Sequence, residues 1–151
     1  MVGIDTNVLV RFVVQDDKKQ AAVASELIEH GCSAANPAII CLIVLCEFVW
    51  VLSSAYEYSQ EQIASALKQI LVTECFAIEK HGLAWSAMLD YSSGFGDYAD
   101  CLIARANELN GAETTFTFDR RATRNKRFTL LTMESGMERP NKISTMVDGS
   151  R

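Results

Sequence analysis

Nothing in this chain marks it for export, for a membrane or for a thiol-held metal. Its five cysteines (Cys32, Cys41, Cys46, Cys75, Cys101) form no CxxC pair, and neither histidine lies at ligand spacing from them. Zinc and a cysteine nucleophile are therefore poor fits. The first residues carry Asp5, Asn7 and Arg11 inside their apolar stretch and have no small-residue cleavage site, so they do not read as a secretory signal. An odd cysteine count without such a signal predicts a reducing cytoplasm. The most hydrophobic stretch, residues 38–52, is interrupted by Glu47 and falls short of the ~20 residues a membrane span needs. Positive charge is not in excess either: 14 Lys and Arg stand against 19 Asp and Glu, a net charge of -5. No global field recruits nucleic acid, although an enzyme that holds cations in an acidic pocket is also expected to be acidic. No internal repeat or low-complexity segment is visible.

What is there suits one soluble domain. The 151 residues are 49% hydrophobic and 22% charged, enough apolar side chain for a single core. Gly3-Ile4-Asp5 reads as a short strand. Asp16 and Asp17 then precede a helical pattern over 18–30, stopped by Gly31. Asn36-Pro37 marks a turn, and 40–56 reads as one long apolar helix. Ser59-Gln60-Glu61-Gln62 fits a capping box for a helix striped by Ile63, Leu67, Ile70 and Leu71. Phe76-Ala77-Ile78 reads as a strand, 81–91 as a helix broken at 92–96, and 97–110 as another helix. Thr114 to Phe118 is β-prone, and 128–131 predicts a last strand. Residues 1–133 form the expected domain, and the polar residues 134–151 a flexible tail. Short strands alternating with helices predict an α/β fold, a short central parallel sheet with helices on both faces.

Four carboxylates stand where solvation alone does not explain them. Asp5 ends the first strand, and Asp119 ends the Thr-Phe-Thr-Phe strand in the same way. Glu47 is the only charge on its apolar helix, and Glu is rarely buried without a partner. Asp100 opens Asp-Cys-Leu-Ile-Ala, with Asp97 one turn earlier on the same face. Several ionised carboxylates share a site only if cations neutralise them. Oxygen-only ligation suits Mg²⁺ or Mn²⁺, one or two ions, and such ions promote phosphodiester hydrolysis. Plainer readings stand beside this one. On these, Asp5 only hydrogen-bonds in a turn, Asp119 caps a helix that starts at Arg120, and Asp97 reads first as the N-cap of its helix.

Arg120, Arg121, Arg124, Lys126 and Arg127 crowd into the positions directly after Asp119. They read either as a solvated face or as a grip on a phosphate backbone. Thr6, Asn7 and Thr117 are placed to orient a ligand carboxylate or water by hydrogen bonds. His30 and His81 are expected at the surface, Trp50 and Trp85 in the core. The apolar helices around 44–52 and 63–71 are candidates for protein contacts as well as for core.

Four segments in order resemble the PIN-domain ribonucleases, most nearly the VapC-type toxins of bacterial toxin–antitoxin pairs. They are Gly3-Ile4-Asp5-Thr6-Asn7-Val8-Leu9-Val10-Arg11, the Glu47 helix, Asp97-Tyr98-Ala99-Asp100-Cys101-Leu102-Ile103-Ala104, and Thr115-Phe116-Thr117-Phe118-Asp119-Arg120. The resemblance spans residues 2–131. It implies a PIN-like three-layer α/β/α fold, Mg²⁺- or Mn²⁺-dependent endoribonuclease activity, a homodimer and a cognate antitoxin that covers the site. It also implies that Asp5, Glu47 and Asp100 are the core acids, that Asp119 is a more variable fourth, and that Asp97 supports them. Two other readings remain. A haloacid-dehalogenase-like phosphatase also starts with an acid after strand one, but needs a second Asp where this chain has Asn7. A non-catalytic PIN-like module that binds RNA or protein is the other, and retention of all four acids argues against it.

Overall fold

The computed structural model describes residues 1–137. β1 (Val2–Gly3), β2 (Ala38–Ile40) and β3 (Phe76–Ile78) form a parallel sheet in that order, with Val2 opposite Ala38 and Ala38 opposite Phe76. A second parallel pair joins β4 (Thr115–Thr117) to β5 (Phe128–Leu130). Between the strands run α1 (Thr6–Val14), α2 (Lys18–Ser25, continued by a π-turn over Glu26–His30), α3 (Leu42–Ser54), α4 (Gln60–Val72), α5 (His81–Ser92) and α6 (Tyr98–Leu109). α7 (Met133–Met137) follows β5. The expected α/β architecture is present.

The elements depart from the sequence pattern in two places. A helix occupies Thr6–Val14, which Val8, Val10, Val13 and Val14 do not announce because β-branched residues are weak helix formers. Tertiary burial of Leu9 and Val10 decides it. Secondly, the reading of 40–56 as one helix is corrected. Ala38–Ile40 is the central strand of its sheet, bonded on both edges, and α3 starts only at Leu42. Three residues are too few to display the period of two that buried Ala38, exposed Ile39 and buried Ile40 in fact follow. The Glu79 carboxylate closes the junction, accepting a 2.9 Å hydrogen bond from the Leu42 amide at the positive end of α3.

Elsewhere local chemistry and structure agree. The Ser59 hydroxyl accepts from the Gln62 amide while the Gln62 side chain accepts from the Ser59 amide, so the capping box is complete. Ile63, Leu67, Ile70 and Leu71 form the buried face of α4. They meet Leu45, Phe48 and Leu52 of α3 in the main core, with Leu9, Ile40 and Tyr98. All five cysteines are free, and two of them, Cys32 and Cys101, are buried. No helix among the described residues is long and apolar enough to cross a membrane. The expected tail begins inside α7 (Met133–Met137), and 138–151 lie outside the described residues.

Among the described residues, Asp90, on α5, is the only charged side chain that is buried. Arg105 of α6 grips it with two 2.7 Å hydrogen bonds, Nε to Oδ2 and Nη2 to Oδ1. Arg127, just before β5, adds Nη1 at 3.7 Å from Asp90 Oδ2 and donates from Nε to Glu108 at 2.7 Å. This network ties α5, α6 and the β5 edge together. Asp90→Asn removes the charge that answers Arg105 in a water-poor setting, and is expected to cost about 3 kcal/mol, read as a lower urea midpoint at unchanged slope. A loss below about 1 kcal/mol would mean the pair behaves as a surface contact.

Candidate active site

Asp97, Asp100 and Asp119 line one cavity of about 290 Å³. The loop before α6 shapes it. Gly96 has φ +131°, which a side chain tolerates poorly, and a Cβ there would lie 3.7 Å from the Asp100 Cβ. The chain turns sharply here, and Asp97 takes the N-cap position of α6 with extended backbone. Its carboxylate nonetheless makes no capping hydrogen bond. The plainer reading of Asp97 thus holds for its backbone and not for its side chain.

One turn on, Asp100 is half-buried. Desolvation, reinforced by the charges of Asp97 and Asp119, raises its pKa above the ordinary 3.8, and only Arg121 works against them. Asp119 follows β4. Its amide donates to Thr117 Oγ1 at 3.0 Å, and its Oδ1 accepts from the Arg121 amide at 2.8 Å. Asp119 caps no helix starting at Arg120; its carboxylate closes a turn onto Arg121, and that turn fixes it at the cavity. Thr117 acts on the Asp119 backbone.

Asp5 and Glu47 line a different, wider hollow, together with Thr6, Asn7, Arg11 and Tyr56. β1 ends at Gly3, although the Ile4 amide still bonds Ile39 at 3.0 Å, so Asp5 begins α1 rather than closing a strand. Its Oδ1 accepts from the Thr6 amide at 2.8 Å. Thr6 Oγ1 donates to Glu47 Oε2 at 2.5 Å, joining α1 to α3. At the far end of the hollow Arg11 Nη1 bonds both Asp16 oxygens, at 2.9 and 3.0 Å, and the Tyr56 hydroxyl, at 2.8 Å. Neither Asp5 nor Glu47 is buried. The argument from burial for Glu47 is corrected: Ile43, Glu47 and Trp50 make an outward face of α3, and Trp50 is 68% exposed instead of lying in the core. Trp85 packs against the core, stacked on His81.

The basic run divides. Arg121 and Arg124 line the cavity beside the three aspartates. Arg120 and Lys126 are exposed outside it. Arg127 is half-buried and committed to Glu108 and Asp90, so its charge is already answered within the protein. That network escapes sequence reading because Asp90 and Arg105 are fifteen residues apart, a spacing that carries no helical signal.

A divalent cation can be tested against these donors. They are all oxygen, their charge is in excess, and Asp100 already bears the cost of like charges in one cavity, all of which fit a hard ion. Among the described residues, however, no three acids, histidines or cysteines stand close enough to grip an ion by themselves. The donor chemistry fits; the remaining ligands would be water or phosphate oxygens, the usual situation for Mg²⁺.

The family model described as "PIN domain" matches residues 2–127. No curated protein matches the chain at a significant level.

The raised pKa of Asp100 has a consequence for stability. The folded chain holds that proton more tightly than the unfolded chain, so above the ordinary 3.8 stability falls as pH rises through the raised value. Asp100→Asn removes the penalty. The metal-free variant is expected to melt higher than the parent at pH 7, and the gap to close at pH 3. Equal or lower melting at pH 7 would contradict the charge crowding.

Proposed function

The chain belongs to the PIN-domain family, whose members are generally metal-dependent nucleases, and we propose that it is a Mg²⁺- or Mn²⁺-dependent endoribonuclease, the toxin of a toxin–antitoxin pair. The observation that carries this reading is the shared cavity of Asp97, Asp100 and Asp119, in which two arginines stand beside three carboxylates. An acidic group flanked by cations suits a phosphodiester, whose backbone the arginines hold while the carboxylates hold a counter-ion.

In this mechanism Asp5, Glu47, Asp100 and Asp119 would hold the ion or ions, Asp100 and Asp119 from one cavity and Asp5 and Glu47 from the other. α3 packs against α6, and Cys46, next to Glu47, feels Tyr98 at the start of α6, so the two groups sit on adjoining elements. Thr6 holds the Glu47 carboxylate in one orientation through its hydroxyl, the Arg121 amide does the same for the Asp119 carboxylate, Thr117 accepts from the Asp119 amide, and Asn7 stands beside Asp5. Asp97, with no capping duty for its side chain, adds negative charge that favours a cation at Asp100. Arg121 and Arg124 grip the phosphates that flank the scissile bond, with Arg120 and Lys126 at longer range. When bound, a divalent ion supplies Lewis-acid stabilisation of the phosphoryl charge and lowers the pKa of coordinated water.

The partners in this reading are RNA, a cognate antitoxin and a second copy of the chain, in the cytoplasm. Ile43 and Trp50, exposed on either side of Glu47, supply apolar surface suited to a protein that covers the acids.

Cleavage of a pooled RNA substrate tests the reading. Activity is expected with Mg²⁺ or Mn²⁺ and not with EDTA. Asp100→Asn and Asp5→Asn are each expected to lose at least about 100-fold, more than removal of an outer-shell partner costs. Cleavage that survives EDTA, or both substitutions, would overturn it. Metal-independent RNA binding without cleavage would instead favour the non-catalytic module.

A further inference from the structure

Besides Asp90, one polar side chain is buried among the described residues: Asn125, 1% exposed, in the loop between β4 and β5. Its amide donates to the Ala122 carbonyl at 3.0 Å, and its carbonyl accepts from the Phe128 amide at 2.9 Å. Its Oδ1 accepts from the Arg127 amide at 3.1 Å. Only Nδ2 has no hydrogen-bond partner among the described residues. Turning the carboxamide over does not help, because Nδ2 would then meet the Arg127 amide donor to donor. A buried donor left unpaired lowers stability, and such a group in a native fold calls for an explanation.

The explanation lies in what Asn125 joins. On one side is the loop that supplies the cavity with Asp119, Arg121, Ala122 and Arg124. This loop is closed by Asp119 Oδ1 on the Arg121 amide, at 2.8 Å, and by the Arg124 amide on the Arg121 carbonyl, at 3.2 Å. Both bonds are internal to the loop. On the other side is Arg127, fixed to its surroundings at both ends. Glu108 and Asp90 hold its guanidinium, while the Thr115 amide, at 2.8 Å, and the Thr114 hydroxyl, at 3.2 Å, hold its carbonyl. Ala122 and Phe128, three residues to either side of Asn125, are buried with Ala104 of α6. Asn125 stands where the arginine-bearing loop meets a backbone tied to the rest of the fold. A side-chain oxygen that binds the amide two residues on is an Asx turn, which alanine cannot make.

We propose that Asn125 is a positioning residue of the phosphate grip: its carboxamide turn sets Arg121 and Arg124 against the cavity, and the chain keeps it at a cost to stability. The role rests on the nuclease reading for its ligand, RNA, but its test does not require cleavage. Binding of a labelled single-stranded RNA of mixed sequence is followed by fluorescence anisotropy over a range of salt, on the full chain carrying Asp100→Asn, in EDTA. Asn125→Ala on that background is expected to bind about 10-fold weaker, the loss of one hydrogen bond to a charged group. The slope of log affinity against log salt is expected to fall by about 0.7–1.4, the share of one or two phosphates on a single strand. Melting changes little, since the substitution removes one unpaired donor, Nδ2, and leaves another, the Arg127 amide. Asn125→Ser, whose hydroxyl can accept from that amide, restores most of the affinity and the slope. Arg124→Ala weakens binding by itself, and adding Asn125→Ala to it costs less than Asn125→Ala alone, because the two act through one contact.

Unchanged affinity and slope in Asn125→Ala overturn the proposal. So does a weakening that adds in full to that of Arg124→Ala, or one that Asn125→Ser does not relieve. If the alanine variant melts below the assay temperature, Asn125→Ser is compared with Asn125→Cys, similar in shape but a poor acceptor, and equal binding by the two overturns it. No RNA binding by the parent overturns it as well. If the wild-type chain cleaves pooled RNA while Asn125→Ala binds like its parent, the nuclease stands and the positioning role falls. If binding responds to Asn125 but no metal supports cleavage, the positioning role stands and the nuclease falls.

Discussion

The pairing of Asp90 with Arg105 is the constraint on which the acidic site depends. A buried carboxylate is tolerable only when its hydrogen-bonding capacity is filled, and the guanidinium fork fills it from the neighbouring helix. α5 and α6 are thereby locked side by side, with Tyr98 donating to the Ala84 carbonyl as a second, buried tie at 3.1 Å. Arg127 extends the same network to the start of β5, the strand that pairs with β4. The helix bearing Asp97 and Asp100 and the strand leading to Asp119 are thus referred to one anchor. Three carboxylates can face one cavity because a fourth, elsewhere, is fully satisfied.

Around Asp100 the forces run the other way. Desolvation and two like charges disfavour its ionised form, and one exposed arginine offsets them only in part. Such crowding lowers the stability of the empty fold and is what a site for a cation requires, a common trade between stability and activity. In the neighbouring hollow the charges are managed differently. Glu47 is steadied by the Thr6 hydroxyl, and Arg11 is taken up by Asp16 and Tyr56.

Sequence made the alternation of strand and helix legible, together with the capping box at Ser59 and the strands at Phe76, Thr115 and Phe128. Those signals are local: a hydroxyl three residues before a glutamine, or a short β-prone run between breakers. α1 and β2 were not legible because long-range packing decides them against local propensity. Ala38–Ile40 is a strand through its partners on both edges, and Thr6–Val14 a helix through the burial of Leu9 and Val10. The acids themselves are legible as residue types in unusual places, but burial does not mark Glu47, which lies on an exposed face of its helix. Asp90 carries no local signal because its partners lie on other elements. That Tyr58 of the α3–α4 loop and Gln60 at the start of α4 line the same cavity as the aspartates is equally hidden, because they meet only in three dimensions.

The central claim is that Asp100 and its companions form a cation site. Anomalous scattering from a crystal soaked in Mn²⁺ tests it most directly. The account predicts a peak at direct ligand distance, roughly 2.0–2.3 Å, from the Asp100 carboxylate, shared with at least one of Asp5, Glu47 and Asp119. Manganese found only at other surface acids such as Asp16 and Asp17, with none at Asp100, would contradict it.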